Sequence, residues 1–439
     1  MNSFLSFDKF HLLGIGGIGL SALAQILQAQ GRTVSGSDES ESEITQALKK
    51  KGIKIFIGHS EKNLPLSNVK CQMSIAVIYS LAIPRDNPEL KLARKLKLPL
   101  FSYPQALGEL TKEKFTIAVC GTHGKSTTTA MLAKILIEGN LNPSVVIGTK
   151  VNDLGGTNAR VADSNYLLIE ACEYKEAFLN YQPNLIVVTN LEPDHLDYYK
   201  TPQKYYQAFV KFFRKLGPTG QLVIFNQAVL ELLKLTPLSE VWEAEPFLTK
   251  LPSLQVPGAH NRENAAVAYA AARALNVPDS VIQAVLANFT GTWRRFESLG
   301  KTSKGAIIYS DYGHHPTAVR ATLSAAREKY PDQKIICVFQ PHQYNRTHYF
   351  LEEYAHAFFQ ADQVIIPNIY AARDTKQDLA SISPEKLVKS IQKHHPNVLY
   401  GNGLENTLQV LQKTNGPNDL ILLMGAGDVY KLGEKLVKD

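Results

Sequence analysis

The segment Gly121-Thr-His-Gly-Lys-Ser126 sets two glycines, a lysine and a hydroxyl between an apolar run, Phe115–Cys120, and a threonine-rich one. A strand, a tight turn and a helix N-terminus in that order converge on an anion, because backbone N–H groups and the helix dipole point the same way. On this reading Gly121, Thr122, His123 and Gly124 cradle phosphate. Lys125 reaches the β- and γ-phosphates of a nucleotide, the Ser126 hydroxyl serves Mg²⁺, and Thr127 extends the set into the helix. Val119 stands where the commoner G-x-x-x-x-G-K-[ST] pattern has its first glycine, so an ordinary strand–helix turn is the alternative. A metal needs more than one hydroxyl. Glu170 ends the apolar run Tyr166–Ile169, and His195 follows Leu185–Thr189 in Asn190-Leu-Glu-Pro-Asp-His195. Strand ends on one side of an open α/β sheet share its ligand crevice, which lets both join Ser126 there. Mg²⁺ prefers oxygen, which leaves His195 either a ligand or a strand-end hydrogen bonder.

A second glycine turn, Gly14-Ile-Gly16-Gly17-Ile18-Gly19, fits G-x-G-x-x-G, with Asp38 about twenty residues on. A diphosphate would rest on the backbone of Gly16 and Ile18, and Asp38 would accept from a ribose or uridine group. The pattern indicates a pyrophosphate without choosing NAD over a UDP-sugar. A glycine turn used only for packing is the alternative.

The elements that must position these residues follow from the apolar spacing. In the first unit, strands are expected at Phe10–Gly14, Thr33–Gly36, Ile53–Ile57, Met73–Tyr79 and Pro99–Ser102, with a helix at Ser21–Gln30. This unit closes near Leu107. A second unit has strands at Phe115–Cys120, Tyr166–Ile169, Leu185–Thr189 and Gln221–Phe225, with helices at Thr127–Glu138 and Arg262–Leu275. A third has strands at Ala306–Tyr309, Lys334–Phe339, Gln363–Ile366 and Leu420–Met424 around a helix at Ala318–Glu328. The expected fold class is therefore α/β, in three consecutive domains: Rossmann-like (1–108), a central P-loop ATPase-like α/β domain (109–293), and Rossmann-like again (294–439).

Composition agrees with that scale. A chain of 439 residues exceeds what one core usually holds, and 44% hydrophobic with 20% charged residues suits a soluble protein. Cys71, Cys120, Cys172 and Cys337 lie far apart with no C-x-x-C pair, against both a disulfide framework and a zinc finger. The apolar stretch Leu12–Leu27 is interrupted by glycines and a serine and has no clear cleavage site, so no targeting or membrane segment is expected. A cytoplasmic protein results. The net charge of +7 is scattered, without a basic tail or an RNA-stacking aromatic motif. Phosphorylated small molecules are thus the expected partners, not nucleic acid.

Several longer motifs in order now resemble one family. They are the phosphate loop, Glu170-Ala-Cys-Glu173-Tyr, Thr189-Asn-Leu-Glu-Pro-Asp-His195, Pro257-Gly-Ala-His260-Asn-Arg-Glu-Asn264, Arg294-Arg-Phe-Glu297 and Asp311-Tyr-Gly-His-His-Pro316. The chain resembles the Mur ligases from end to end. The resemblance implies a UDP-sugar in the first domain (Gly16, Gly17, Ile18, Gly19, Asp38, Ser80), with Asn158 and Ala159 touching its muramyl part. ATP and Mg²⁺ belong to the second, with Ser126, Glu170 and His195 at the metal, and the third closes over both with the amino acid. It further implies that His260 and Asn264 border the adenine, that Arg295 meets the γ-phosphate and Asp311 the ATP ribose, and that His342 and Arg346 lie near L-alanine. Lys125, His195, Arg295 and His342 are the implied catalytic residues. The chemistry is ATP-dependent amide formation through an acyl phosphate. His314, His315 and His342 are candidates for the base that takes the amine proton, or else hinge and packing residues.

Within the family, the glycine turn, Ala82-Ile-Pro-Arg-Asp-Asn-Pro-Glu89 and Phe339-Gln-Pro-His342-Gln-Tyr-Asn-Arg346 are most similar to the members that join L-alanine to UDP-N-acetylmuramate. The branch that recycles murein tripeptide is the alternative. A NAD-dependent dehydrogenase explains only the first turn. Three departures from the family stand out: Ser126 in place of threonine, Gln343 where some members have arginine, and a short stretch from Phe225 to Val256. Lys211 lies near the spacing of a lysine that some members carbamylate. A monomer or weak homodimer is expected.

Overall fold

The computed structural model describes residues 4–66, 74–234, 240–372 and 374–438; Cys71, and Met73 at the head of an expected strand, lie outside the described residues. The protein is a three-domain α/β molecule whose described residues form three sheets. The chain divides into two compact units, Met1–Pro252 with Glu263–Ala287, and Ser253–Arg262 with Asn288–Asp439. The first two sheets belong to the former and the third to the latter.

The first sheet holds β1 (Lys9–Leu13), β2 (Thr33–Asp38), β3 (Lys54–Ile57), β4 (Ile75–Tyr79) and β5 (Leu100–Ser102), all parallel, in the order β3-β2-β1-β4-β5. Parallel neighbours require crossover connections, which here put helices on the sheet and bury the central strands β1 and β4. The order reverses between β1 and β4. The crevice this opens at the carboxyl ends is where the glycine turn begins and where Ser80 stands. Ser80 N–H donates to Leu13 O at 3.0 Å. The first helix is Ile18–Ala29, three residues earlier than its apolar spacing indicates, because Gly17 serves as its cap and the glycine turn flows straight into it.

The second sheet holds β6 (Phe115–Cys120), β7 (Ser144–Val151), β8 (Thr157–Arg160), β9 (Tyr166–Glu170), β10 (Leu185–Val188), β11 (Gln221–Ile224) and β12 (Glu240–Glu243), in the order β12-β11-β10-β6-β9-β7-β8. Only β7 and β8 pair antiparallel. Sequence spacing missed both, since Gly148, Gly155 and Gly156 interrupt the run, and it missed β12, which caps the far edge beyond the short Phe225–Val256 stretch. The β7–β8 hairpin packs on the helix Ile18–Ala29, and Lys150 Nζ reaches Glu43 Oε2 at 2.6 Å. The helix Tyr103–Thr111 runs across position 108, so no break in the chain marks that expected boundary. Gly108 is needed there, as a Cβ would lie 2.4 Å from Asn180 O.

The third sheet holds β13 (Glu297–Lys301), β14 (Ile307–Asp311), β15 (Lys334–Phe339), β16 (Gln363–Ile366), β17 (Val398–Tyr400) and β18 (Asp419–Met424), in the order β13-β14-β18-β15-β16-β17, parallel except for β13. Asp311 and Phe339 both stand in register with Met424, so the strand ends carrying their motifs are level. Among the described residues no helix is long and apolar enough to cross a membrane.

Candidate functional site

The loop after β6 is built by glycine and held by the strand end beside it. Gly121 has φ +128° and a Cβ there would lie 2.2 Å from Thr189 Oγ1; Gly124 has φ +77° and its Cβ would lie 2.1 Å from Asn264 Oδ1. Only glycine fits either position. Val119 is a strand residue, in register with Glu170 and Val187, which explains the missing first glycine: this turn starts two residues later. Asn190 O accepts from Thr122 N–H at 3.0 Å, and Asn190 Oδ1 accepts from His123 N–H at 2.9 Å. Those two loop donors are therefore committed. The N–H groups of the first turn of the helix Lys125–Glu138 are what this fold leaves for an anion. Thr122 Oγ1 bridges Glu192 O (2.7 Å) and Tyr205 O–H (2.7 Å), and His123 Nε2 lies 3.2 Å from Glu192 Oε2. Thr127 is buried beside them. Asn264 stands against the loop at Gly124, where the resemblance implies a place beside the adenine.

Lys125 curls over its own loop. Its Nζ donates to Gly121 O at 2.6 Å and Thr122 O at 3.0 Å, and pairs with Glu173 Oε2 at 3.0 Å. Glu173 is 1% exposed, and its Oε1 lies 3.6 Å from His195 Nε2. Burial draws the Lys125 ammonium's pKa down, and the neighbouring negative charges together, Glu173 first among them with Cys172 and Glu170, leave it above the ordinary lysine value. His195 itself has φ +53°, a conformation a non-glycine residue takes at some cost, and packs on the Tyr174 ring at 4.7 Å. The structure thus joins His195 to Glu173 and Lys125.

Ser126 Oγ–H donates to Glu170 Oε1 at 3.1 Å, and Glu170 Oε2 accepts from Gly148 N–H at 2.7 Å. Two oxygens of this kind, fixed at the end of β9 beside a helix N-terminus, are the donor set a hard cation takes, so these residues fit Mg²⁺. Lys211 is 62% exposed and pairs with Glu176 at 3.3 Å on the outer face of its helix.

At the first sheet, Gly16 N–H donates to Asp38 Oδ2 at 2.8 Å, which sets Asp38 on the glycine turn itself and takes up a donor that the sequence assigned to pyrophosphate. Ile18 and Gly19 open the helix, where first-turn N–H groups have no partner within it. A Cβ at Gly19 would lie 2.6 Å from Tyr103's ring and one at Gly17 would lie 3.2 Å from Gly14 O. Asn158 donates to Ile18 O and, at 3.1 Å, to Ser21 Oγ, which ties β8 to that helix; Ala159 beside it is buried. At Gly16 a Cβ would lie 2.9 Å from both Asp38 Oδ2 and Thr45 Cγ2. Gly16→Val is expected to weaken UDP-sugar binding by about tenfold, roughly 1.4 kcal/mol, with ATP affinity unchanged in a calorimetric titration. The cause is crowding, not backbone angle.

In the second unit, Asp311 is buried at the end of β14, accepting from Phe296 N–H (2.8 Å), Gly313 N–H (2.7 Å) and Thr322 Oγ–H (3.3 Å). Arg294 donates to Gly425 O and lies over Tyr312 and Tyr430, while Arg295 lies over Tyr312 at 5.0 Å and is half-buried. His260 sits beside Gly258. Three histidines follow β14 and β15. His342 stacks on Tyr370 (5.7 Å, 13°), with His314 edge-on to it at 5.8 Å. Arg346 Nη1 lies 3.4 Å from His342 Nδ1 and from Gln343 Oε1, Gln343 itself having φ +71°.

Hydrogen bonds assign their tautomers. His342 Nδ1 and His315 Nδ1 face donors, Arg346 and Thr317 N–H (3.3 Å), which puts their protons on Nε2. His314 is the reverse: its Nδ1–H donates to Tyr312 O at 3.0 Å, leaving the lone pair on Nε2.

Sequence reasoning quoted Glu173, Thr189 and Asn190 within motifs but gave them no role. Their loop-side partners, Lys125, His123 and Cys120, are 48 to 69 positions away, and Glu173 also meets His195, 22 positions on. The carboxylate spacing Glu-x-x-Glu at a strand end was the one available sign.

Comparisons with known proteins agree with this geometry. Residues 9–115 match the model of the Mur ligase family catalytic domain, 119–242 that of the Mur ligase middle domain, and 294–427 that of the Mur ligase glutamate ligase domain. The chain is 40% identical to the UDP-N-acetylmuramate–L-alanine ligase of Acetivibrio thermocellus over 99% of this chain and 96% of that one. It is 38% identical to the enzyme of the same name from Carboxydothermus hydrogenoformans, over 97% and 96%. Among solved structures, a UDP-N-acetylmuramate–alanine ligase from Thermotoga maritima superposes with a TM-score of 0.79 at 27% identity, covering 98% of both chains. A murein peptide ligase from Psychrobacter arcticus shares the fold, with a TM-score of 0.71 at 22% identity and 98% coverage of both chains.

Proposed function

Since the chain belongs to the Mur ligase family, we propose that it joins L-alanine to UDP-N-acetylmuramate at the expense of ATP, in the cytoplasm. The observation that carries this reading is the arrangement at adjacent strand ends of one sheet: a glycine-built loop, a buried lysine above it, and the Ser126–Glu170 oxygen pair. The near-complete coverage of relatives named for this reaction supports it.

Gly121 to Thr127 hold the ATP phosphates, with Asn264 against the loop. Ser126 and Glu170 would hold Mg²⁺, with His195, which lies 3.6 Å from Glu173, as the third candidate, and the ion would neutralise phosphate charge. Gly16 to Gly19, Asp38 and Ser80 receive the UDP-sugar at the first crevice, and Asn158 and Ala159 serve its muramyl end. In the second unit, His260, Arg295 and Asp311 are the proposed nucleotide contacts, and His342 and Arg346 the proposed L-alanine contacts. Domain boundaries near 108 and 293 go with this assignment.

The muramyl carboxylate oxygen attacks the γ-phosphorus, the bond to the β,γ-bridging oxygen breaks, and ADP leaves. Lys125 neutralises charge on the transferring group, where fixed electrostatics lower the barrier most. The L-alanine amine then attacks the acyl phosphate carbonyl, the C–O bond to phosphate breaks, and the amine proton passes to a base. His314 Nε2 is that base by tautomer, and His342 positions the substrate. His314→Gln should lower kcat by about a hundredfold with little change in the L-alanine KM. Acyl phosphate formation, followed as ATP–ADP exchange, should persist, and its parallel loss would remove His314 from the second step. Phosphate release measured with ATP, Mg²⁺ and UDP-N-acetylmuramate across a panel of amino acids tests the whole reading.

A further inference from the structure

Glu173 has no part in the chemistry just described, yet it is the most thoroughly buried charge at the site. Its carboxylate is 1% exposed, and its two oxygens face the ammonium of Lys125 (3.0 and 3.3 Å) and the imidazole of His195 (3.6 Å). Tyr199 O–H fixes the backbone by donating to Glu173 O, and Lys175 and Glu176 just beyond hold positive φ of 53° and 54°, so the segment is locked in place. An anion thus stands between the lysine assigned to the incoming phosphate and the histidine assigned to the metal.

We infer that Glu173 is a positioning residue that stands in the electrostatic place the terminal phosphates would take and competes with them for Lys125. It holds Lys125 folded over the Gly121 and Thr122 carbonyls and aims His195, and the nucleotide takes Lys125 from it by exchange of one anion for another. Three consequences follow. The lysine is kept charged and pre-placed, the buried carboxylate is never left without a cation until phosphate supplies the competing charge, and ATP binds more weakly than the loop alone would allow. Fast release of ADP goes with that weakened grip.

This rests on the assignment of the Gly121–Ser126 loop to ATP. The test is calorimetric titration of metal-free ATP into the full chain as wild type, Glu173→Gln, Glu173→Asp, Lys125→Ala and the Lys125→Ala/Glu173→Gln double variant, with steady-state kinetics in Mg²⁺ alongside. Glu173→Gln should tighten ATP about tenfold while lowering kcat, because Lys125 is released but no longer aimed. Glu173→Asp, which keeps the charge and draws it back by a methylene, should fall between and serves if the glutamine variant does not fold. In the Lys125→Ala background the gain should vanish. Unchanged or weaker ATP binding in Glu173→Gln and Glu173→Asp would overturn the inference, as would an equal gain with and without Lys125, which would mean a plain field effect. A wild type that binds no ATP would instead overturn the loop assignment.

Discussion

Lys125→Ala should abolish ligation, with kcat/KM expected to fall at least about a thousandfold, the upper range for losing one charge-stabilising donor. The structure adds a second consequence that the residue's place in a loop motif does not foretell. The lysine is the cation for a carboxylate that is 1% exposed. Breaking a buried pair from one side is costly, about 3–5 kcal/mol for full burial, and Lys125's side chain at 14% exposure puts this pair near the lower end. The variant should therefore melt several degrees lower. Adding Glu173→Gln should restore the melting temperature without restoring turnover, which separates the two effects in one set of calorimetric scans. Near-normal turnover in the single variant would refute the phosphate-loop assignment.

Arg346→Lys should raise the L-alanine KM by about a hundredfold, roughly the 1.5–3 kcal/mol of a hydrogen bond to a charged group, while the ATP KM holds. Lysine keeps the charge and loses the planar fork. Arg346 is 8% exposed and set on the helix Tyr344–Tyr349, whose first N–H groups are capped by Asp374 (2.8 Å from Tyr344 N), and its Nη1 stands between His342 and Gln343. The wild type should refuse the tripeptide L-Ala-γ-D-Glu-meso-diaminopimelate, and efficient tripeptide ligation with L-alanine inert would place the chain with the recycling ligases instead.

What could be read in the sequence was what is local. The phosphate loop announces itself because strand, glycines, lysine and helix are contiguous, and β15 and β16 run between the residues their apolar runs indicate, Lys334–Phe339 and Gln363–Ile366. Periodicity also placed the end of β9 within one residue of Glu170 and the end of β14 within two of Asp311. What it could not give is who meets whom. Glu173 gains its meaning from β6, β9 and β10 lying side by side, an order set by crossover topology. The sequence offers Asp38 as an acceptor from a ribose or uridine group; that 22 residues of chain also return it to Gly16 N–H only the fold shows. The β7–β8 hairpin was invisible because its glycines erase the period-two signal, yet it carries Gly148 to Glu170 and Asn158 to the first helix. Histidine contacts likewise depend on neighbours two to four positions away in a folded turn, which the fold alone supplies.

The central claim is that the muramyl carboxylate is activated as an acyl phosphate and captured by L-alanine. It is tested most directly by supplying UDP-N-acetylmuramate labelled with oxygen-18 in its lactyl carboxylate, together with ATP, Mg²⁺ and L-alanine, and weighing the released phosphate by mass spectrometry. The account predicts one labelled oxygen in each phosphate, released in step with amide product and only when both L-alanine and the sugar nucleotide are present. Unlabelled phosphate, or release that ignores L-alanine, would contradict it.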